Sequence, residues 1–226
     1  MQHVHFSSCG CGDESKGNLD LYSLNESISR GSIQCLNEKR ADSIRDVICN
    51  YENRFGTSFV TPEDDNEIIV RFTFNEEVKL KGLLVRSQYK SKTPKTARLY
   101  INPSTDIDFS NVNDFKPTQL IQLQWDPKCE KPVVFRGAPV YNTVNSIALY
   151  ISDRLHPDHT EEQTDEVVND PQISETGDQL CVNFLGFLGN FTNTNKRAVK
   201  AIYEAAPVAS DHAAQEITRQ SLGFGL

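Results

Sequence analysis

The chain has no excess of positive charge, no long apolar run and none of the short motifs that mark common catalytic centres. Each absence removes a class of function. Asp and Glu number 31 against 23 Lys and Arg, a formal net charge of −8 at pH 7. Binding nucleic acid by displacing counterions needs a surplus of basic side chains, so no nucleic-acid partner is expected. No run of 18 apolar residues occurs, and the opening MQHVHFSSCGCG has no apolar core of the kind a secretion signal needs. Neither a membrane span nor export is expected, and the expected setting is the cytoplasm or nucleus. G-x-S-x-G, G-x-x-x-x-G-K-[ST] and H-E-x-x-H are all missing, which removes the usual serine hydrolase, P-loop and zinc peptidase readings.

Cysteine is present but not concentrated. Apart from Cys9 and Cys11, the six (with Cys35, Cys49, Cys129 and Cys181) are widely scattered, unlike the dense pattern of small secreted scaffolds, and they read as reduced thiols. The triplets Asn25-Glu26-Ser27 and Asn190-Phe191-Thr192 then carry no glycosylation meaning. Helical patterning is also scarce. Only Leu19–Ile28 and Ala41–Cys49 show 3.6-residue spacing, and both are short.

What the chain does have is alternation. In NEIIVRFTF, Ile68, Val70, Phe72 and Phe74 fall on one face, the signature of a half-buried strand. VKLKGLLV repeats the pattern, with Val78, Leu80, Gly82 and Leu84 on one face, and Asn75-Glu76-Glu77 between the two runs reads as a hairpin connection. Further strands are expected at 97–101, 119–125, 132–136, 145–151, 180–189 and 199–203. In the second of these, Ile121, Leu123 and Trp125 form one face, which puts the only tryptophan in the core, with an exposed sugar-stacking platform as the alternative. Gly186 and Gly189 read as places of close backbone approach or bulges. Short strands separated by Pro, Asn, Asp and Ser clusters favour an all-β sandwich or jelly roll. At 226 residues, 38% hydrophobic and 24% charged, the chain is long enough for a sizeable core without staples.

The charge is not spread along the chain. Residues 152–178 hold nine acids and one base, so this stretch carries the entire imbalance and the remainder has 22 of each sign. Its few large apolar residues predict a solvated surface loop between two strands. The chain thus divides into a polar tail (1–18), a body (19–204, with lead-in 19–58) carrying the acidic insertion 152–178, and a C-terminal tail (205–226).

Candidate chemistry is sparse. His3, His5, Cys9 and Cys11 are a ligand set that suits zinc or copper(I). The C-x-C spacing and the lack of anything to fix the geometry favour a plain tail, and no cofactor is expected. His156-Pro157-Asp158-His159 has no helix to align its imidazoles and reads as solvated loop. The acid pairs Asp64-Asp65, Glu76-Glu77 and Glu161-Glu162 would act as glycosidase carboxylates only if they faced one cleft.

Several segments, taken in order, resemble the PITH domain, the module named for the proteasome-interacting thioredoxin. They are Gln34-Cys35-Leu36-Asn37-Glu38, DNEIIVRFTFNEEVKLKGLLV, ARLYINPSTDIDF, Pro117-Thr118-Gln119 leading into LIQLQW, Val144-Asn145-Ser146-Ile147 and NFLGFLG. The resemblance covers about residues 32–195. It implies a galactose-binding-like jelly-roll β-sandwich, similar to the Doc subunit of the anaphase-promoting complex. It also implies a partner, the regulatory particle of the proteasome, to which the PITH domain attaches thioredoxin-like members. It brings no catalytic residues, and the C-G-P-C motif of a thioredoxin is missing, so a non-enzymatic binding protein is expected. Ile202-Tyr203-Glu204-Ala205 and Asp211-His212 are similar to the end of stand-alone members. Together with the apolar groups of Leu222, Phe224 and Leu226, this makes Tyr203, Asp211, His212, Leu222, Phe224 and Leu226 the candidate partner contacts, against a strand-covering or disordered tail. The competing class is a carbohydrate or small-ligand module, which predicts exposed aromatics at one end of the sandwich.

Overall fold

The alternating runs do form strands, but two of them merge. In the computed structural model, which describes residues 21–135, 137–154 and 179–192, the strands are β1 (Tyr22–Ser23), β2 (Gln34–Leu36), β3 (Glu67–Arg86), β4 (Pro94–Ile101), β5 (Gln119–Gln122), β6 (Val133–Val134), β7 (Val144–Arg154) and β8 (Phe184–Phe191). The expected strand at 199–203 lies outside the described residues. One short helix, α1 (Ser43–Val47), follows β2.

The hairpin expected at Asn75-Glu76-Glu77 is absent. β3 runs straight through it as one 20-residue strand. A tight two-residue hairpin needs positive φ angles, and none of these three residues adopts one. Instead the pairing with β7 shifts between Thr73 and Val78, and β3 passes from one sheet to another. Its first half pairs with β7 on one side and β2 on the other. Its second half pairs with β8 and β6. β7 continues to β4 and β5, and β8 to β1. All pairings are antiparallel. The result is a jelly-roll β-sandwich made from one folded-over sheet, five strands on one side and four on the other, with β3 common to both.

The core lies between the two halves. Phe72 from the first meets Phe187 from the second edge-to-face at 4.8 Å, among Ile68, Val70, Leu99, Ile147, Leu149, Leu80 and Leu83. A second shift of register between Leu80 and Gly82 corrects the expected face of the later run. One extra residue inverts the alternation, so Leu83 and Val85 continue the core while Leu84 points outward to Phe184 and Leu188. Both outer faces are covered as well. Ile69, Tyr100, Ala148 and Tyr150 pack under Ile107 and Val112, and Leu84, Phe184 and Leu188 pack under Leu21, Tyr51 and Cys129.

Gly186 and Gly189 sit where the backbone crowds its surroundings. A Cβ at Gly186 would meet the Phe184 ring at 2.6 Å, and one at Gly189 would run into the Lys79 carbonyl and the Leu24 side chain.

The lead-in corrects one helix and shortens the other. Leu19–Ile28 does not form the expected helix over its described part, which contains β1 and a single 3₁₀ turn at Asn25–Ser27. Fully buried Asn25 is the reason. Its amide donates to the Cys49 and Leu185 carbonyls at 2.7 and 2.9 Å, and its Oδ1 accepts the Phe187 N–H at 2.9 Å. These bonds clamp the segment to β8 in place of an intrahelical ladder. Burial of Asn25 also removes the first glycosylation triplet from consideration. α1 forms inside Ala41–Cys49, its start held by the Glu38 carboxylate, which accepts from the Asp42 and Ile44 N–H groups and the Ser43 hydroxyl.

Candidate functional site

The candidate metal ligands His3, His5, Cys9 and Cys11 lie outside the described residues. So do the candidate contacts Tyr203, Asp211, His212, Leu222, Phe224 and Leu226, the His156 to His159 cluster and most of the acidic insertion. Among the described residues no group of three His, Cys, Asp or Glu side chains is placed to hold a metal ion. The functional surface that can be built is therefore a different one, at one end of the sandwich.

Four connecting segments meet there, around residues 54–66, 86–93, 123–131 and 179–183. Hydrogen bonds tie them together. Val60 and Val182 exchange backbone bonds, Cys181 N–H donates to Lys92 O at 2.8 Å, and Asn183 N–H donates to Arg86 O at 2.8 Å. Gln179 Nε2 donates to the Glu63 and Asp64 carbonyls at 2.9 and 2.8 Å, and the Trp125 indole donates to Ser87 O at 3.2 Å. Arg154, paired with Pro94 at the end of β7, and Gln179, bonded to Glu63 and Asp64, are both at this end.

Arg86 stands at the centre of the end and is 9% exposed. The last residue of β3, it turns back into the structure. Its Nε donates to Pro127 O at 3.0 Å, and its Nη1 donates to Arg54 O and Gly56 O at 3.3 and 3.4 Å. Arg54 lies beside it, its guanidinium over the Tyr51 ring at 4.0 Å and the Phe55 ring at 4.3 Å. The Arg86 guanidinium is 5.6 Å from the same Phe55 ring. Phe55 itself is 51% exposed. Such stacking holds a guanidinium in place without neutralising it.

Trp125 corrects the sequence expectation. It is 38% exposed, while Ile121 and Leu123 of the same face are buried. β5 ends at Gln122, so the strand alternation that would have carried the indole inward stops short of it, and its N–H is satisfied at the surface by Ser87. Next in the chain, Asp126 is buried and shapes the turn: its Oδ2 accepts the Lys131 N–H at 2.7 Å. Cys129 closes the turn with φ +54°. Burial, then the neighbouring Asp126, pushes its thiol up to about 12.

Clefts also lie elsewhere among the described residues. One of about 160 Å³ is lined by Lys39, Arg40, Ser43, Phe59 and Thr61. Another of about 130 Å³ lies along the 103–118 segment, with Phe115 and Lys116 on its wall.

Sequence reasoning missed Arg54, Phe55 and Arg86. A weak local signal existed for the first two, an Arg-Phe-Gly triplet in a loop-forming stretch. Nothing in the sequence marked Arg86, whose role depends on segments 30 or more residues away.

This chain is 28% identical over 193 residues to PITH domain-containing protein 1 of Dictyostelium discoideum, covering 84% of each chain. It is 27% identical over 231 residues to the human protein of the same name, covering 98% of each. It is 23% identical to thioredoxin-like protein 1 of Schizosaccharomyces pombe, covering 61% of this chain and 47% of that one. Among solved structures it is similar to CBM32-3 from a family 31 glycoside hydrolase of Clostridium perfringens, at 11% identity and a TM-score of 0.44, covering 74% of this chain and 97% of that one. The family model of the PITH domain matches residues 14–207, a span that takes in every strand among the described residues, and the chain belongs to the PITH domain family.

Proposed function

We propose that this protein is a non-enzymatic binding protein of the cytoplasm and nucleus that associates with the regulatory particle of the proteasome through its PITH domain. The observation that carries this reading is the family match across residues 14–207, because the PITH domain attaches thioredoxin-like members to that particle. The chemistry of the cysteines supports the non-enzymatic part. Burial raises the thiol pKa of Cys35, Cys49 and Cys129, the opposite of what a thiolate nucleophile requires. In the C-terminal tail, Tyr203, Asp211, His212, Leu222, Phe224 and Leu226 remain the proposed contacts, and His3, His5, Cys9 and Cys11 a proposed metal set.

One observation favours the second reading, a carbohydrate or small-ligand module: Phe55 and Trp125 expose aromatic surface at one end of the sandwich. Quantitative mass spectrometry of proteins captured from cytosol by the full chain separates the two. Enriched regulatory-particle subunits are expected, with recovery reduced when the residues after Ser210 are deleted. Capture of no proteasome subunit overturns the reading, and saturable binding on a glycan array would favour the second.

A further inference from the structure

In the corner formed by Arg54, Phe55 and Arg86, neither guanidinium has a carboxylate within ion-pair distance among the described residues, and the buried acid nearby, Asp126, has its Oδ2 engaged by the Lys131 N–H. A side chain as buried as Arg86 normally meets an opposite charge. Here it meets three carbonyl oxygens, and its Nη2 makes no hydrogen bond among the described residues. Arg54 donates from Nη1 to Tyr51 O at 3.0 Å, and its Nε is buried with no acceptor. Neither arginine forms an ion pair among the described residues, whereas Arg40, Arg45 and Arg71 each do. Both guanidiniums lie against one ring, Phe55, which is half open to solvent.

We propose that this corner is a docking site for an acidic peptide segment of a partner protein. A carboxylate would lie against the two guanidiniums and an apolar side chain against Phe55. Charge complementarity points to the acid. A guanidinium fixed on an aromatic ring or held by carbonyls is already oriented, so it loses little freedom when it accepts a planar carboxylate. The open Phe55 ring points to a peptide, because a small inorganic anion would leave that ring in water. Nucleic acid fits poorly, since two cations on a chain of net charge −8 cannot follow a phosphate backbone. The inference rests on the reading of the PITH domain as a docking module and names the chemistry of one contact.

A displayed library of random dodecapeptides, selected on the immobilised full chain and followed by anisotropy titration of the recovered peptides, tests the proposal. Recovered sequences should combine Asp or Glu with an aromatic or aliphatic residue. Their affinity should fall at least about tenfold in Arg54→Met and in Phe55→Ala, and should weaken as NaCl rises from about 50 to about 500 mM. Phe55 is exposed and Arg54 half-buried, and melting curves check that both variants keep the fold. Phe55→Tyr should bind like the parent chain. Peptides without acids, peptides that bind both variants as well as the parent, or glycan binding abolished by Phe55→Ala would each overturn the proposal. Proteasome capture is measured on the same chains. Corner-dependent peptide binding with no proteasome captured by the parent sinks the proteasome reading and keeps the corner, while capture with no corner-dependent peptide does the reverse.

Discussion

On the outer face of the five-stranded sheet, the arginines meet acceptor side chains within the fold, although Arg71 Nε is buried with no acceptor, whereas at the loop end two guanidiniums meet only backbone carbonyls and rings. Arg71 of β3 meets Asp106 at 3.4 Å and Gln34 Oε1 at 2.8 Å. Arg98 donates to Asn113 Oδ1 at 2.8 Å, and the Tyr150 hydroxyl donates to Glu67 Oε2 at 2.5 Å. The segment from Asn102 to Thr118 lies over this face and supplies several of these partners. At the far end of the same strand, Arg86 and Arg54 meet only carbonyls and rings. An extended segment laid over a sheet can bring acceptor side chains such as Asp106 and Asn113 to the sheet's arginines. A corner where loops meet holds its arginines by their backbones and leaves charge for another molecule.

The largest effect that would sharpen this contrast is expected at Arg86. Arg86→Met keeps most of the volume but leaves the carbonyls of Pro127, Arg54 and Gly56 without a donor. Chemical denaturation should show a loss of roughly 2–4 kcal/mol, because hydrogen bonds from a charged group are worth more than neutral ones. A change below about 0.5 kcal/mol would mean that Arg86 does not organise the corner.

Trp125→Ala should cost less, about 1–2 kcal/mol, since the indole is partly in water and makes one bond to Ser87. A loss of roughly 3–5 kcal/mol, the range for a fully buried aromatic, would return this residue to the core and break the contrast.

On the compensated face, Tyr150 gives a pH-dependent effect. Burial, followed by the Glu67 hydrogen bond, pushes its pKa up from 10.0 to about 12. The folded state therefore holds this proton more tightly than the unfolded chain does. That contribution is complete below pH 10 and is lost as pH rises through about 12. Melting temperatures measured across this range should fall more steeply for the parent than for Tyr150→Phe. Parallel profiles would show that Tyr150 is not the group responsible.

The smallest effect is expected at Asp106→Asn. The Asp106 side chain is 90% exposed, and an ion pair so open to solvent is worth little, about 0.5 kcal/mol or less. Thermal melts in low and high salt would detect anything larger, which would mean that this face depends on its charges as well as its packing.

The strands were legible because alternation is a local property. Ile68, Val70 and Phe72 could be assigned to one face from their spacing alone, and Gly186 and Gly189 could be marked as close approaches. The extra residue between Leu80 and Gly82 was not legible, since a bulge is settled by the partner strand and leaves no mark on the strand that carries it. The helix expected from Leu19 failed for a related reason: the buried contacts of Asn25 with Cys49 and β8 outweigh spacing that suits a helix. The corner was the least legible part, because Arg54, Arg86 and Pro127 come from three separate segments.

By itself, the sequence determined that the protein is all-β, that the residues outside 152–178 have as many acids as bases, and that its excess charge sits in residues 152–178. Periodicity and composition depend on neighbours along the chain, so they survive without a structure. Only the tertiary structure decided that β3 is one strand shared by two sheets, that Trp125 faces water, and that two arginines meet one phenylalanine at the end of the sandwich. Those outcomes depend on which distant backbones pair and on which charges come to share a small volume, and spacing along the chain does not encode either.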